Sequence, residues 1–305
     1  MLNHPIRIAG IDIGTNTILM VIGEKYQTGE LKFIRNEHSI ARLGEGVDKT
    51  HLIKPEAIER AKIILTEYKN ICDKNNVKYV SASGTSALRD AQNREEVINE
   101  LSSFIGTEIK VITGEEEARL SYLGTIEDDK LYTVVDIGGG STEFITGENK
   151  IIKTRHSISI GAVRLTERYF KQQPAGISDF QKAETYIIES LNKIKKEDYN
   201  GELIGVAGTP TTLAAVAQGI TKFEKGKVHN FILNYETINN IFNNLKVLTI
   251  EGIKGINGIH PDRADIITAG TLILKSIMNF YGIDVIRVST RGLRYGILIE
   301  LAKNY

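Results

Sequence analysis

A short pattern of acid, glycine and hydroxyl residues occurs twice in this chain. The first copy is Asp12-Ile13-Gly14-Thr15-Asn16-Thr17; the second, 124 positions on, is Asp136-Ile137-Gly138-Gly139-Gly140-Ser141-Thr142. Each follows an apolar run, Ile6 to Ile11 or Leu131 to Val135, and precedes another, Ile18 to Ile22 or Phe144 to Thr146. An acid at a strand end, a glycine-hydroxyl turn and a returning strand make a hairpin that can hold phosphate. Glycine lets backbone N–H groups approach an anion and tolerates positive φ. A carboxylate beside a phosphate needs a cation between them, which points to Mg²⁺ (or Mn²⁺). Two copies predict two similar half-molecules holding one phosphorylated ligand.

The second copy is the sharper. Three consecutive glycines cost up to about 1 kcal/mol each relative to alanine in regular structure. Ser141 and Thr142 offer hydroxyl donors, and Glu143 adds a carboxylate. Asp136 and Glu143 flank the turn on neighbouring strands, so both can face one point. The plainer alternative is a hairpin with solvated acids. In the first copy, Gly14, Thr15, Asn16 and Thr17 serve equally well as a tight turn, and Asp12 is the weaker metal candidate. A third loop, Gly205 to Thr212, follows a strand and opens a helix, so Gly208 and Thr209 present free N–H groups to an anion. Its alternative is a helix cap with Pro210 near the first turn.

A further acid lies between the two copies. In Thr113-Gly114-Glu115-Glu116-Glu117-Ala118-Arg119, Thr113 and Glu116 have the spacing of a capping box, and Glu115 suits the helix dipole. Glu117 has neither role. It is a candidate general base toward water, or part of a solvated face. Arg89, Arg164, Arg263, Arg291 and Arg294 sit near glycine or hydroxyl residues and can fork onto phosphate oxygens; each can equally be a surface ion-pair residue.

The elements that must position these groups follow from periodicity. Strands are predicted at 6–11, 18–24 and 31–40, then a helix from Lys54 to Asn75, a strand at Val77 to Ala82, a helix from Asn93 to Ile105, a strand at Glu108 to Ile112 and a helix from Thr113 to about Leu123. Strands at 131–136, 143–147 and 150–159 begin a second pass. Helices at 161–170, 178–195, 211–217, 235–248, 262–281 and 292–302 and strands at 203–207 and 285–288 complete it. This predicts a duplicated α/β chain, 1–124 and 125–305.

The chain has 305 residues, zero formal net charge, 41% hydrophobic and 25% charged residues. That suits two packed domains and gives no global field for a nucleic acid polymer. No apolar run is long enough to span a bilayer, and no signal peptide is evident. The single cysteine, Cys72, fits a reducing, cytoplasmic compartment and reads as a small helix hydrophobe.

The chain resembles the exopolyphosphatase/guanosine pentaphosphate phosphohydrolase family of the actin/Hsp70/sugar-kinase superfamily. The resemblance runs through Gly10 to Thr17, Arg42 to Gly46, Thr85 to Asn93, Ile112 to Gly124, Asp136 to Glu143, Ser159 to Glu167, Gly208 to Ala215, Arg263 to Leu274 and Ser289 to Gly296. It implies two actin-like (ribonuclease H-like) domains with mixed five-stranded sheets flanked by helices, an interdomain active-site cleft, and a last helix that packs back on the first domain. It implies hydrolysis of a terminal phosphoanhydride in polyphosphate or pppGpp, with Glu117 as base, Asp136 and Glu143 on the metal, and the three loops and Arg89 on phosphate. A homodimer is expected from the family alone. Two departures stand out: Leu19 occupies a position where many relatives carry Arg or His, and the chain ends at Tyr305, without the helical extension of longer relatives. An ATP-dependent phosphotransferase of the same superfamily is the second reading. A non-catalytic nucleotide sensor or filament protein is the third.

Overall fold

The structure, a computed structural model, describes residues 4–305. The chain divides into two compact units. Unit 1 takes Met1–Thr125 and Gly292–Tyr305; unit 2 takes Ile126–Arg291.

Unit 1 begins with three antiparallel strands, β1 (Ile6–Ile13), β2 (Thr17–Lys25) and β3 (Leu31–Ile40). A one-turn helix α1 (Val47–Thr50) leads to α2 (Pro55–Lys74), with its proline at the first helical position. Then come β4 (Tyr79–Gly84), α3 (Ser86–Asp90), α4 (Arg94–Ile105), β5 (Ile109–Val111) and α5 (Gly114–Thr125). The sheet order is β3-β2-β1-β4-β5, with β4 parallel to β1 and β5 parallel to β4.

Alternation along β1 and β2 gives this sheet two apolar faces. Ala9, Ile11, Ile13, Ile18, Met20 and Ile22 meet Ala61, Leu65 and Tyr68 of α2 in one core. Cys72 is buried there, its Sγ 3.6 Å from Met20 Sδ, and burial pushes its thiol up to about 11. It is the helix hydrophobe its setting predicts. Ile8 and Val21 point the other way.

Unit 2 repeats the plan with β6 (Tyr132–Ile137), β7 (Thr142–Glu148) and β8 (Ile151–Ile158), again antiparallel. Helices α6 (Ala162–Tyr169) and α7 (Ile177–Leu191) follow, then β9 (Glu202–Val206), α8 (Gly208–Ala217), α9 (Lys225–Val228), β10 (Ile232–Asn234), α10 (Tyr235–Leu245), α11 (Ile250–Lys254), α12 (Ile267–Tyr281) and β11 (Val285–Val288). The sheet order is β10-β11-β9-β6-β7-β8. Five strands were expected; the sixth, β10, is three residues long and too short to show a period in sequence. It pairs antiparallel with β11. The predicted helix over 262–281 starts at Ile267 instead, because Pro261 opens a separate 3₁₀ turn.

The last helix, α13 (Leu293–Ala302), belongs to unit 1. It covers the second face of the sheet, where Tyr295, Leu298 and Ala302 join Ile8 and Val21. Each large apolar side chain buried this way contributes about 1.5–3 kcal/mol. The helix also packs against α5 almost backbone to backbone: a Cβ on Gly296 would lie 1.8 Å from the Leu120 carbonyl oxygen, and one on Gly124 2.1 Å from that of Gly292.

Candidate functional site

In unit 1 the first hairpin is closed by the Gly14 N–H donating to the Thr17 carbonyl at 2.9 Å. Asp12 lies opposite Leu19 on β2 and beside Ser83 on β4. The residues after β3 hold the loop from outside. Gly44 N–H donates to the Thr15 carbonyl at 2.8 Å, and Ala41 and Arg42 N–H groups donate to the Asn16 carbonyl at 3.0 and 2.9 Å. Arg42 adopts φ 50, a region a side chain enters only when its surroundings hold it there. Arg60 in turn ties this segment down, its Nε donating to the Ala41 carbonyl at 2.8 Å. The Asn16 Nδ2 is buried with no hydrogen-bond partner among the described residues, a donor that an anion at this loop would satisfy.

Helix α5 opens as its sequence predicts, with Thr113 Oγ1 accepting the Glu116 N–H at 3.2 Å. The reciprocal half of the expected capping box is replaced: the Glu116 carboxylate takes two bonds of 2.8 Å from Arg119. Glu117 turns inward and is only 8% exposed, which removes the solvated-face alternative. Its Oε2 accepts from Arg89 Nη1 at 3.0 Å, and the same Nη1 donates to the Ile112 carbonyl at 3.0 Å. Arg89, expected as a phosphate ligand, is thus bonded to the expected base.

In unit 2 the second hairpin matches the first residue for residue. Gly138 N–H donates to the Ser141 carbonyl at 3.0 Å. Asp136 pairs directly with Glu143 across β6 and β7, as Asp12 pairs with Leu19. Directly opposed residues of an antiparallel pair project from the same face, so the two carboxylates share a side of the sheet. A third residue in that row, Ser157 on β8, donates its hydroxyl to Glu143 Oε1 at 2.8 Å. Sequence reading missed Ser157; only the β7–β8 register identifies it.

Thr142, expected among the phosphate ligands, neighbours Glu143 on the strand, so its side chain points to the opposite face. Its hydroxyl donates its single proton to the Ile160 carbonyl at 2.6 Å, and the residue is fully buried.

The glycine loop rests on α6. Ala162 N–H donates to the Gly138 carbonyl at 3.0 Å, and the Val163 and Arg164 N–H groups donate to that of Gly139 at 2.9 and 3.1 Å. Gly161 makes this contact possible, since a Cβ there would lie 2.3 Å from the carbonyl of Gly139.

The third loop is strained at Ala207, just before α8, which has φ 70. The Arg263 guanidinium lies against Gly208, so close that a Cβ on Gly208 would fall 1.7 Å from Nη1. Burial pushes Arg263 down to about 10, which leaves it cationic at neutral pH. Thr209 is buried. Of the other arginines, Arg291 pairs with Glu127 at 2.6 Å, and Arg294 donates to Asn36 at 3.3 Å.

Two mixed sheets of one plan, flanked by helices and each opening with an acid–glycine–hydroxyl hairpin, define a duplicated α/β fold. The chain belongs to the Ppx/GppA phosphatase family, whose model matches residues 21–305. It is 33% identical to Exopolyphosphatase 2 of Mycobacterium tuberculosis, over 97% of this chain and 98% of that one. Its structure is similar to that of an Aquifex aeolicus member of the Ppx/GppA family (TM-score 0.82, 32% identity, covering 98% of this chain and 99% of that one). It is also similar to an exopolyphosphatase from Cytophaga hutchinsonii (TM-score 0.89, 29% identity, 98% of each chain). Among the described residues no helix is long and apolar enough to cross a membrane.

Proposed function

We propose that this chain removes the terminal phosphate of inorganic polyphosphate by hydrolysis of the phosphoanhydride bond. The observation that carries this is the direct pairing of Asp136 with Glu143 beside a glycine loop whose carbonyls are tied back to α6. The names of the relatives agree with polyphosphate as substrate. A terminal phosphoanhydride in pppGpp offers the same group to the same loops and is the second substrate to try.

Among the described residues no three His, Cys, Asp or Glu side chains gather to hold a metal alone. Two carboxylates on one face fit Mg²⁺, which keeps several waters and takes its remaining ligands from substrate phosphates. Asp136 and Glu143 would hold it, and it would supply charge neutralisation at the terminal phosphate oxygens. The loop N–H groups of unit 2 bind the equatorial oxygens, helped by Gly208 and Thr209. The loop from Gly14 to Thr17, with the Asn16 amide, is a second set of phosphate donors. Glu117, fixed by Arg89, orients the attacking water and takes its proton. The chain needs no disulfide and suits the reducing cytoplasm.

Phosphate release from long polyphosphate, tripolyphosphate and pppGpp, compared as kcat/KM, tests the proposal. Polyphosphate substrates are expected to lead, and Glu117→Gln is expected to lower kcat about 10²- to 10⁴-fold with substrate binding kept. Near-normal turnover by Glu117→Gln would remove the assigned base. Phosphate release that requires a second acceptor would make the chain a phosphotransferase.

A further inference from the structure

Three successive peptide planes of the second loop are turned the same way. The carbonyls of Gly138 and Gly139 accept from the first N–H groups of α6, and the carbonyl of Gly140 accepts from Arg164 Nε at 2.8 Å. In a trans peptide the C=O and N–H point in opposite directions. Tying down these three carbonyls therefore aims the N–H groups of Gly139, Gly140 and Ser141 away from α6, as an anion nest requires. Backbone groups of α6 fix the first two planes. The third, which governs the Ser141 N–H, is fixed by a side chain.

We infer that Arg164 is a positioning residue for the glycine loop: its Nε orients the Gly140–Ser141 peptide so that the Ser141 N–H meets the phosphate. This rests on the proposed phosphate-binding role of the loop. It takes Arg164 out of the set of candidate phosphate contacts and gives its hydrogen bond, not its charge, the working role. Arginine at this site is then a matter of reach. Nε is the donor, and in glutamine Nε2 stands the same number of bonds from Cα. Lysine places a methylene there and carries its charge further out.

Arg164→Gln, Arg164→Lys and Arg164→Met in the full chain separate the two roles. Arg164→Gln is expected to keep kcat on tripolyphosphate within about threefold. Arg164→Met and Arg164→Lys are expected to lose roughly tenfold in kcat, the size of one hydrogen bond, with KM little changed. Amide hydrogen exchange of a peptide covering 138–142 gives a readout that needs no activity: protection is expected to persist in Arg164→Gln and to fall in Arg164→Met. If Gln and Met are equally impaired, KM rises in both and Lys alone rescues, Arg164 touches substrate through its charge and the inference is wrong. Equal loop protection in Gln and Met also overturns it. A wild-type protein that releases no phosphate from tripolyphosphate would instead defeat the proposed function, and the exchange comparison would still decide the role of Arg164.

Discussion

Arg89 Nη1 lies 3.0 Å from Glu117 Oε2 and bridges it to the Ile112 carbonyl, so α3 locks a carboxylate that α5 projects inward. A hydrogen bond to a charged group contributes about 1.5–3 kcal/mol, and 1.4 kcal/mol is tenfold in rate. Arg89→Met should therefore lower kcat about 10- to 100-fold. Because the effect runs through Glu117, the double variant with Glu117→Gln should be little worse than Glu117→Gln alone. Losses that multiply in full, with a raised KM, would show that Arg89 acts on substrate by itself.

The second prediction concerns Glu143, proposed above as a metal ligand and held from the edge strand by Ser157 Oγ at 2.8 Å. Partners behind a metal ligand commonly change metal affinity about 10- to 100-fold. Ser157→Ala should raise the Mg²⁺ concentration for half-maximal activity about tenfold, with kcat at saturating Mg²⁺ largely restored. An unchanged Mg²⁺ titration would separate Ser157 from the acids proposed to hold the metal.

How much of this was legible in sequence depends on the range of the contact. The twin hairpins could be read because each is local: acid, turn and return strand lie within eight residues, and the match of Asp12 with Leu19 and Asp136 with Glu143 follows from turn length alone. Glu117 stood out by elimination within one helical turn. The bond from Arg89 to Glu117 spans 28 residues and that from Ser157 to Glu143 spans 14, so neither leaves a periodic trace. The face that the Thr142 side chain takes left no sign, because a hydroxyl beside a turn looks the same in sequence whichever way it points. The positive φ of Ala207 had no signal at all, since alanine is not a residue chosen for that region.

The third prediction tests what positions Glu117. Gly296 sits inside α13, where alanine would ordinarily gain about 1 kcal/mol of helix propensity. Here the new Cβ would lie 1.8 Å from the Leu120 carbonyl oxygen on α5, a backbone atom that cannot swing aside. Overpacking typically costs about 1–3 kcal/mol, so the net sign is destabilising. Gly296→Ala should lower the urea midpoint and, by displacing α5, lower kcat. A variant as stable as wild type would mean the two helices separate without strain.

The last prediction is a pH dependence at His229. Its Nδ1 lies 3.3 Å from the Thr290 N–H, and its Nε2 lies 3.2 Å from Glu127, which also binds Arg291. An Nδ1 that accepts from the backbone and an Nε2 that donates to Glu127 describe the neutral imidazole. Burial is the largest influence and lowers the His229 pKa, aided by Arg291 and Lys225 and opposed by Glu127. The folded state therefore resists a proton that the unfolded chain accepts near pH 6.5. Stability from this group is fully present above that value and falls as the pH drops from there toward the depressed folded pKa. Chemical denaturation of wild type and His229→Gln at pH 7.5 and 5.5 isolates the effect from the other five histidines. The wild type should lose more stability between the two pH values than the variant does. Equal losses would mean that His229 takes up its proton as readily in the fold as in the unfolded chain.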